Sequence, residues 1–97
     1  MIAQVHIGKG ATTPATDEMR KFVEDALTDG RAQDGVEATI SMADPDTGET
    51  LVVNLFRDEA ALDAFQAYSK QKIAEVEAMG DVEVAPGRIY PDVIALL

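Results

Sequence analysis

The hydrophobic residues at the start of the chain recur at every second position. Residues 2–8 divide into two alternating sets, which are Ala3, Val5 and Ile7 on one side and Ile2, Gln4 and His6 on the other. Successive side chains of a β-strand point to opposite faces of a sheet, so a period of two predicts a first strand here. One face of this strand is apolar, and the face that carries His6 is mixed.

The next hydrophobic residues recur at spacings of three and four. They are Met19, Phe22, Val23, Ala26 and Leu27. This spacing predicts a helix from Ala15 to about Thr28 that ends near Gly30 and packs one face on a sheet. Thr13 is expected to be its N-cap and Pro14 its first helical residue, where a missing amide proton costs nothing.

Two more strands are predicted on either side of an acidic turn. In residues 36–42, Val36, Ala38, Ile40 and Met42 alternate with Glu37, Thr39 and Ser41. In the turn, Pro45 restricts its neighbour and Gly48 can adopt a positive φ. The strand at residues 50–57 is apolar on both faces, so both faces should be covered. The helices can cover one face, and a second copy of the chain is the simplest cover for the other.

Asp58 is expected to cap a second helix that ends at Met79 and Gly80. Its apolar stripe consists of Ala61, Leu62, Phe65, Tyr68 or Ser69, Ile73 and Val76. Residues 81–97 are predicted to hold a fourth strand, interrupted by prolines and Gly87, and an apolar tail at residues 93–97 that pairs with or covers something. The order β-α-β-β-α-β predicts one α+β domain over residues 1–97, with a ferredoxin-like antiparallel sheet and both helices on one face.

Composition and charge remove several classes of function. Eighteen acidic residues against eight basic ones give a net charge of -10, which repels nucleic acid and anionic lipid surfaces. The absence of cysteine excludes disulfides, thiolate catalysis and thiolate metal sites. No signal peptide or membrane-length apolar run is recognised, so the cytoplasm is the expected location.

The acidic turn raises the question of a metal site. Asp44, Asp46 and Glu49 are close in sequence, but their spacing does not match a calcium-binding loop. Pro45 and Gly48 account for the turn without a metal. No metal is therefore expected.

The stretch "DPDTGETLVVNLFRDEAALDAF" resembles the antibiotic biosynthesis monooxygenase family of dimeric α+β barrels. In that family a DP-rich hairpin is followed by a strand, an aromatic residue and an "E-A-L" helix. The resemblance implies a homodimer in which two sheets pack back to back, with a pocket in each protomer between sheet and helices. Members that degrade haem carry a Trp and a His where this chain has Phe56 and Phe65, so haem degradation is disfavoured and no cofactor is expected.

The resemblance also implies a chemistry, which is the cofactor-free oxygenation of a small aromatic compound or quinol. Such a pocket needs a base, a donor for a developing oxyanion and aromatic walls. The candidate catalytic residues are His6 as base, Asn54 as hydrogen-bond donor and Tyr68 as a further polar group. The candidate substrate-binding residues are Phe56, Phe65 and Arg88. Most of them also have a structural interpretation. It is a hydrogen-bonded strand residue for His6, a hydrogen bond across the dimer or to a helix end for Asn54, ordinary core for the phenylalanines, and an ion pair for Arg88.

The alternative is a dimer without catalytic activity that binds a small hydrophobic or aromatic ligand or serves as a structural scaffold. In it, the same side chains fill the space left by the missing Trp and His. A cavity with convergent polar groups favours an enzyme or ligand carrier, whereas side chains packed at normal interior density favour a scaffold.

Overall fold

The computed structural model describes residues 1–10, 17–79 and 83–96. Its elements are β1 (Ile2–Lys9), α1 (Asp17–Arg31), β2 (Val36–Asp44), β3 (Glu49–Phe56), α2 (Glu59–Ala78), β4 (Glu83–Val84) and β5 (Arg88–Tyr90). The predicted order of elements is confirmed. The predicted fourth strand is two short strands, β4 and β5, as the prolines and Gly87 between and after them suggested.

All strands lie in one five-stranded sheet whose order is β2-β3-β1-β4, with β5 also pairing with β1. Every pairing described is antiparallel. This is the ferredoxin-like arrangement predicted from the sequence. It places β1 and β3 side by side at the centre, with Gln4 opposite Asn54 and Ile2 opposite Phe56.

The helices cover one face of this sheet. Gln4 is hydrogen-bonded to Gln66 of α2, and Thr39 of β2 donates a hydrogen bond to the carbonyl of Leu27 in α1 at 3.1 Å. Directly opposite residues of antiparallel strands share a face. The β3 residues on the helix-facing side are therefore Val52, Asn54 and Phe56.

The other face of the sheet is apolar and turned away from the helices. We call it the open face. Its apolar residues are Ala3, Val5 and Ile7 of β1, Leu51, Val53 and Leu55 of β3, and Ala38, Ile40 and Met42 of β2, and β5 adds Arg88 and Tyr90 at its edge. Ile40 and Met42 remain 43% and 48% exposed. Apolar residues thus lie on both faces of β3, with Asn54 as the polar exception on the helix-facing side. Coverage of the open face by a second copy stays a prediction.

The alternation predicted for the second strand is wrong at its first residue. A β-bulge lies between Val36 and Ala38, so that Val36 pairs with Phe56 while Ala38 pairs with Leu55. The extra residue, Glu37, moves Val36 from the open face to the helix-facing side. There Val36 is only 3% exposed and belongs to the core.

Local signals in the sequence predicted the turn and the second helix correctly. Gly48 has a φ of 73°, and Asp58 accepts a hydrogen bond from the backbone N–H of Ala61 at 2.9 Å as the N-cap of α2. Gly30, predicted near the end of the first helix, is buried in its last turn. The predicted cap at Thr13 and Pro14 lies outside the described residues.

The C-terminal tail is largely uncovered in the single chain. The N–H of Val93 donates to the carbonyl of Met1 at 3.1 Å, but Ile94 and Leu96 are 98% and 102% exposed. Within the described part of the chain, neither helix has the length and hydropathy needed to cross a membrane.

Candidate functional site

Five polar side chains converge between the centre of the sheet and α2. We call them the polar cluster: Gln4 and His6 of β1, Asn54 of β3, and Gln66 and Ser69 of α2. Gln4, His6, Asn54 and Ser69 are each more than nine-tenths buried, and Gln66 is half-buried. The register of β1 and β3 places the strand residues on one face, and the helical spacing of three residues brings Gln66 and Ser69 above them.

His6 is the titratable member of the polar cluster. Its Nε2 lies 3.4 Å from the Ser69 hydroxyl oxygen, and its buried Nδ1 has no hydrogen bond of normal geometry among the described residues. Burial lowers the pKa of His6 below its ordinary value of 6.5, and the nearby backbone of Ala85 opposes this shift in part. At neutral pH the imidazole is therefore uncharged and able to accept a proton.

Two glutamine amides form a bridge across this space. The amide nitrogen of Gln4 donates to Gln66 at 3.3 Å, and the amide nitrogen of Gln66 lies 3.4 Å from the Gln4 oxygen and donates to the Leu62 carbonyl at 2.9 Å. Asn54 makes no side-chain hydrogen bond within the described part of the chain. Its amide therefore has no partner among the described side-chain contacts.

A short backbone segment, residues 85–87, closes the side of the cluster next to β1. Gly8 pairs with Val84 and Val5 pairs with Arg88, so three residues stand opposite two, which is a bulge. A Cβ atom at Gly87 would lie 2.6 Å from Cε1 of His6 and 2.8 Å from Nε2 of Gln4. Only glycine allows the backbone to approach the imidazole so closely.

The aromatic candidates pack against one another beside the polar cluster. The rings of Phe56 and Phe65 meet edge to face with centroids 5.1 Å apart, and Phe65 contacts Tyr68 at the same centroid distance. Phe56 is fully buried, and both phenylalanines belong to the core, which consists of Val36, Phe56, Ala61, Leu62 and Phe65. We call this group the apolar cluster. The rings that the sequence interpretation assigned to the walls of a pocket thus pack against one another.

Tyr68 and Arg88 occupy positions that differ from those expected of polar site residues. The Tyr68 hydroxyl donates to the carbonyl of Ala26 in α1 at 2.7 Å, and burial raises the pKa of Tyr68. Arg88 is opposite Val5, which puts it on the face of the sheet away from His6, and its guanidinium carbon is 5.6 Å from the ring centre of Tyr90. The structure therefore brings His6 and Asn54 together, but it does not bring Arg88 to them.

Three members of the polar cluster were missed by the sequence interpretation: Gln4, Gln66 and Ser69. Gln4 stands two residues before His6 and so shares its face. Ser69 follows Phe65 by four residues and was named only as an alternative to Tyr68 in the apolar stripe. A buried serine on a helix face gives no hydrophobic signal, so only its position over His6 identifies it.

Two shallow depressions of the described surface include neither His6 nor Asn54. One, of about 360 Å³, is lined by Ile7, Lys9, Glu77, Glu83, Val84 and Ala85. The other, of about 230 Å³, lies around Arg57 and the start of α2. Among the described residues, no three His, Asp or Glu side chains are close enough to hold a metal ion.

Comparison with known proteins gives a likeness of structure. No family model matches the sequence, and no curated protein matches it. A candidate antibiotic biosynthesis monooxygenase from Deinococcus radiodurans has 17% identity and a TM-score of 0.69, over 100% of this chain and 97% of that one. Rv0793 from Mycobacterium tuberculosis has 19% identity and a TM-score of 0.65, over 98% of each chain.

A third solved structure, the structural genomics protein YJCS, has 12% identity and a TM-score of 0.65, over 96% of this chain and 100% of that one. At such identities the likeness establishes the fold alone. The chain thus has the same α+β fold as these proteins, which confirms at the level of the fold the resemblance to antibiotic biosynthesis monooxygenases predicted from its sequence.

Proposed function

We propose that this chain forms a homodimer through its open face and oxygenates a small phenol or quinol at the polar cluster without a cofactor. The observation that carries the proposal is a buried, uncharged imidazole placed beside an amide with no described partner. The fold shared with a candidate antibiotic biosynthesis monooxygenase is consistent with this chemistry.

The open face supports the dimer. Its nine residues from β1, β2 and β3 are apolar, and two of them, Ile40 and Met42, are substantially exposed in the single chain. Arg88 and Tyr90 of β5 lie at the edge of this face. A contiguous apolar surface of this kind on a small protein marks an interaction site, and a second copy of the same sheet is complementary to it. Ile40→Glu would place a charge in this interface. Sedimentation equilibrium should show a dimer for the wild type and a monomer for the variant.

In the proposed reaction His6 is the base. A ring nitrogen of the neutral imidazole takes the proton of the substrate hydroxyl, and the amide of Asn54 donates a hydrogen bond to the resulting phenolate oxygen. The electron-rich ring carbon then reduces dioxygen and forms a carbon–oxygen bond to it. The peroxide O–O bond and the C–H bond at the same carbon then break, which leaves one oxygen as a new carbonyl. The other oxygen leaves as water, with the hydrogen from that carbon and the proton that His6 took from the hydroxyl. Dioxygen thus accepts four electrons, all from the substrate.

Oxygen uptake tests the proposal. A panel of hydroquinones, dihydroxynaphthalenes and anthrones should include a substrate that consumes one dioxygen per quinone formed without releasing hydrogen peroxide. His6→Gln should lower kcat/KM by about 100-fold or more, the usual contribution of a general base. The control is Lys70→Gln, an exposed substitution on α2 that should leave the rate unchanged. Uptake that is equal in the wild type and in His6→Gln would contradict the proposal.

Asn54→Leu separates a role in chemistry from a role in folding. The leucine has the same number of side-chain heavy atoms and the same branching at Cγ as asparagine, and it removes an amide that has no described hydrogen bond. The free energy of unfolding should therefore fall by no more than about 1 kcal/mol. Oxygen uptake should nevertheless fall by about tenfold or more, because the phenolate loses its donor. Loss of stability without loss of activity would assign Asn54 to the fold alone.

The second candidate is a dimer that binds a small aromatic ligand without transforming it, or that acts only as a scaffold. The mutual packing of Phe56, Phe65 and Tyr68 favours it, because these rings leave less room for a substrate. Saturable binding of a panel compound, observed by calorimetry without oxygen consumption, would support the binding role. A dimer with neither binding nor oxygen consumption would support the scaffold.

A further inference from the structure

Ser69 makes an unusual contact for a serine in the middle of a helix. Such hydroxyls commonly donate to the backbone carbonyl four residues earlier, and Thr28 of α1 does so, with its hydroxyl 2.8 Å from the carbonyl of Glu24. The described contacts of the Ser69 hydroxyl include no such bond. It is 6% exposed, and its partner is Nε2 of His6, at 3.4 Å.

The hydrogen atom between Ser69 and His6 can belong to either residue. If Nε2 carries a proton, it donates to Ser69, the serine's own hydrogen has no described acceptor, and Nδ1 is a bare acceptor. If Nε2 is bare, Ser69 donates to it and Nδ1 carries the proton. The two arrangements differ in what Nδ1 requires from the segment at residues 85–87.

That segment is poor in donors on the side of the imidazole. The N–H of Ala85 is already bonded to the carbonyl of Ile7 at 2.8 Å, Pro86 has no N–H, and the N–H of Gly87 makes no hydrogen bond to Nδ1. The Ala85 carbonyl remains as an acceptor. A protonated Nδ1 beside it is favourable, whereas a bare Nδ1 would face another acceptor. With an acceptor and no donor beside Nδ1, a proton on Nδ1 and a bare Nε2 are favoured.

We propose that Ser69 is a positioning residue that holds His6 in the tautomer with its proton on Nδ1, leaving Nε2 as the proton-accepting atom. The role of this atom in oxygenation rests on the proposed function, but the tautomer does not. In the reaction, the substrate hydroxyl replaces the Ser69 hydroxyl at Nε2 and transfers its proton there. An N–H bond forms, the substrate O–H bond breaks, and the imidazolium keeps its Nδ1 proton beside the Ala85 carbonyl.

The first test is the state of the ring in solution. In protein labelled with ¹⁵N, long-range proton–nitrogen correlation spectra at pH 7.5 distinguish a protonated imidazole nitrogen from a bare one. Since the chain contains one histidine, the signals need no further assignment. We expect protonated Nδ1 and bare Nε2 in the wild type. A wild-type spectrum with the proton on Nε2 would overturn the proposal, whatever any variant does.

The second test is substitution of Ser69. Ser69→Ala should lower the ratio of the Nδ1-protonated to the Nε2-protonated tautomer by about tenfold, the effect of losing one buried hydrogen bond. Ser69→Thr keeps the hydroxyl and should retain the wild-type ratio, and Ser41→Ala, at an exposed strand position, is the matched control. An unchanged ratio in folded Ser69→Ala would overturn the proposal. If that variant does not fold, the wild-type spectrum still decides.

Activity separates this inference from the proposed function. If the wild type consumes oxygen with a panel substrate, Ser69→Ala should lower kcat by the same factor as the measured fraction of the reactive tautomer, with little change in KM. A tenfold fall in the ratio from about ten to about one corresponds to a fall of roughly twofold in kcat. If no substrate is consumed, the oxygenase proposal fails while the tautomer measurement still stands. An altered tautomer ratio in Ser69→Ala without any change in kcat would remove Ser69 from the reaction.

Discussion

The apolar cluster and the polar cluster lie side by side on the same face of the sheet and are buried to a similar extent, yet they contribute differently to the fold. Phe56 and Phe65 contact each other and gain free energy from the surface that they remove from water. His6 and Asn54 are as deeply buried, but a buried polar atom stabilises little even when bonded and costs free energy when it is not.

The difference indicates where this molecule can carry a function. The apolar cluster is explained by folding alone. The polar cluster retains a histidine nitrogen and an asparagine amide without described partners, at a position where apolar side chains would fold as well or better. Proteins accept such costs mostly at sites that bind or transform a ligand, which is why we place the proposed chemistry there.

The largest expected effect is the loss of stability from a substitution in the apolar cluster. Phe56→Ala removes a fully buried ring and should lower the free energy of unfolding by about 3 to 5 kcal/mol, measured by urea denaturation. Phe22→Ala is the matched control, because Phe22 of α1 is only half-buried. Equal losses in the two variants would show that the apolar cluster does not carry the core.

The pH dependence of the free energy of unfolding tests the polar cluster. Because burial lowers the pKa of His6 in the folded state, the unfolded chain binds a proton more readily just below pH 6.5 than the folded one does. The free energy of unfolding should therefore be fully present above this pH and fall as the pH decreases below it, by at most about 1.4 kcal/mol per pH unit for one proton.

The control for this measurement is His6→Gln, which should lose the part of the slope that lies between pH 7 and pH 5. The cap bond to Ala61 lowers the pKa of Asp58, so the stabilisation that Asp58 provides is lost only as the pH falls below its ordinary pKa of 3.8. This loss lies below the range of pH used for His6. If the free energy of unfolding changes equally with pH in the wild type and in the variant, the pKa of His6 is the same in the folded and unfolded states.

The smallest effect concerns the boundary between the clusters. Tyr68→Phe removes the hydroxyl bonded to the Ala26 carbonyl and should lower the free energy of unfolding by about 1 kcal/mol. Tyr90→Phe, at a position that is 43% exposed, should change it by less than about 0.5 kcal/mol. If Tyr68→Phe instead abolishes oxygen uptake while stability is unchanged, Tyr68 belongs with the polar cluster.

Local patterns predicted the elements well because each depends on neighbours in sequence. The period of two in β1, the glycine in the turn and the Asp58 cap act over a few residues, and the structure contains all of them. The bulge beside Val36 was missed, since one extra residue in a strand leaves the hydrophobic alternation looking intact. Only the pairing of Val36 with Phe56 reveals it.

For the candidate site, the sequence pointed to His6 because histidine alone among its side chains has an ordinary pKa near neutrality, and to Asn54 because an asparagine is uncommon in the interior of an apolar strand. It could not assign Ser69 or place Arg88. Ser69 is separated from His6 by 63 positions, and the face on which Arg88 lies depends on the bulge at residues 85–87.

The sequence by itself thus determined the order of elements, the fold class and the two central polar residues, because periodicity and capping are local properties. Tertiary structure decided which side chains meet: the contact of Ser69 with His6, the closure of the site by Gly87, and the placement of Arg88 on the opposite face. These depend on strand register and on contacts between distant segments, and a shift of one residue in register reverses the face on which a side chain lies.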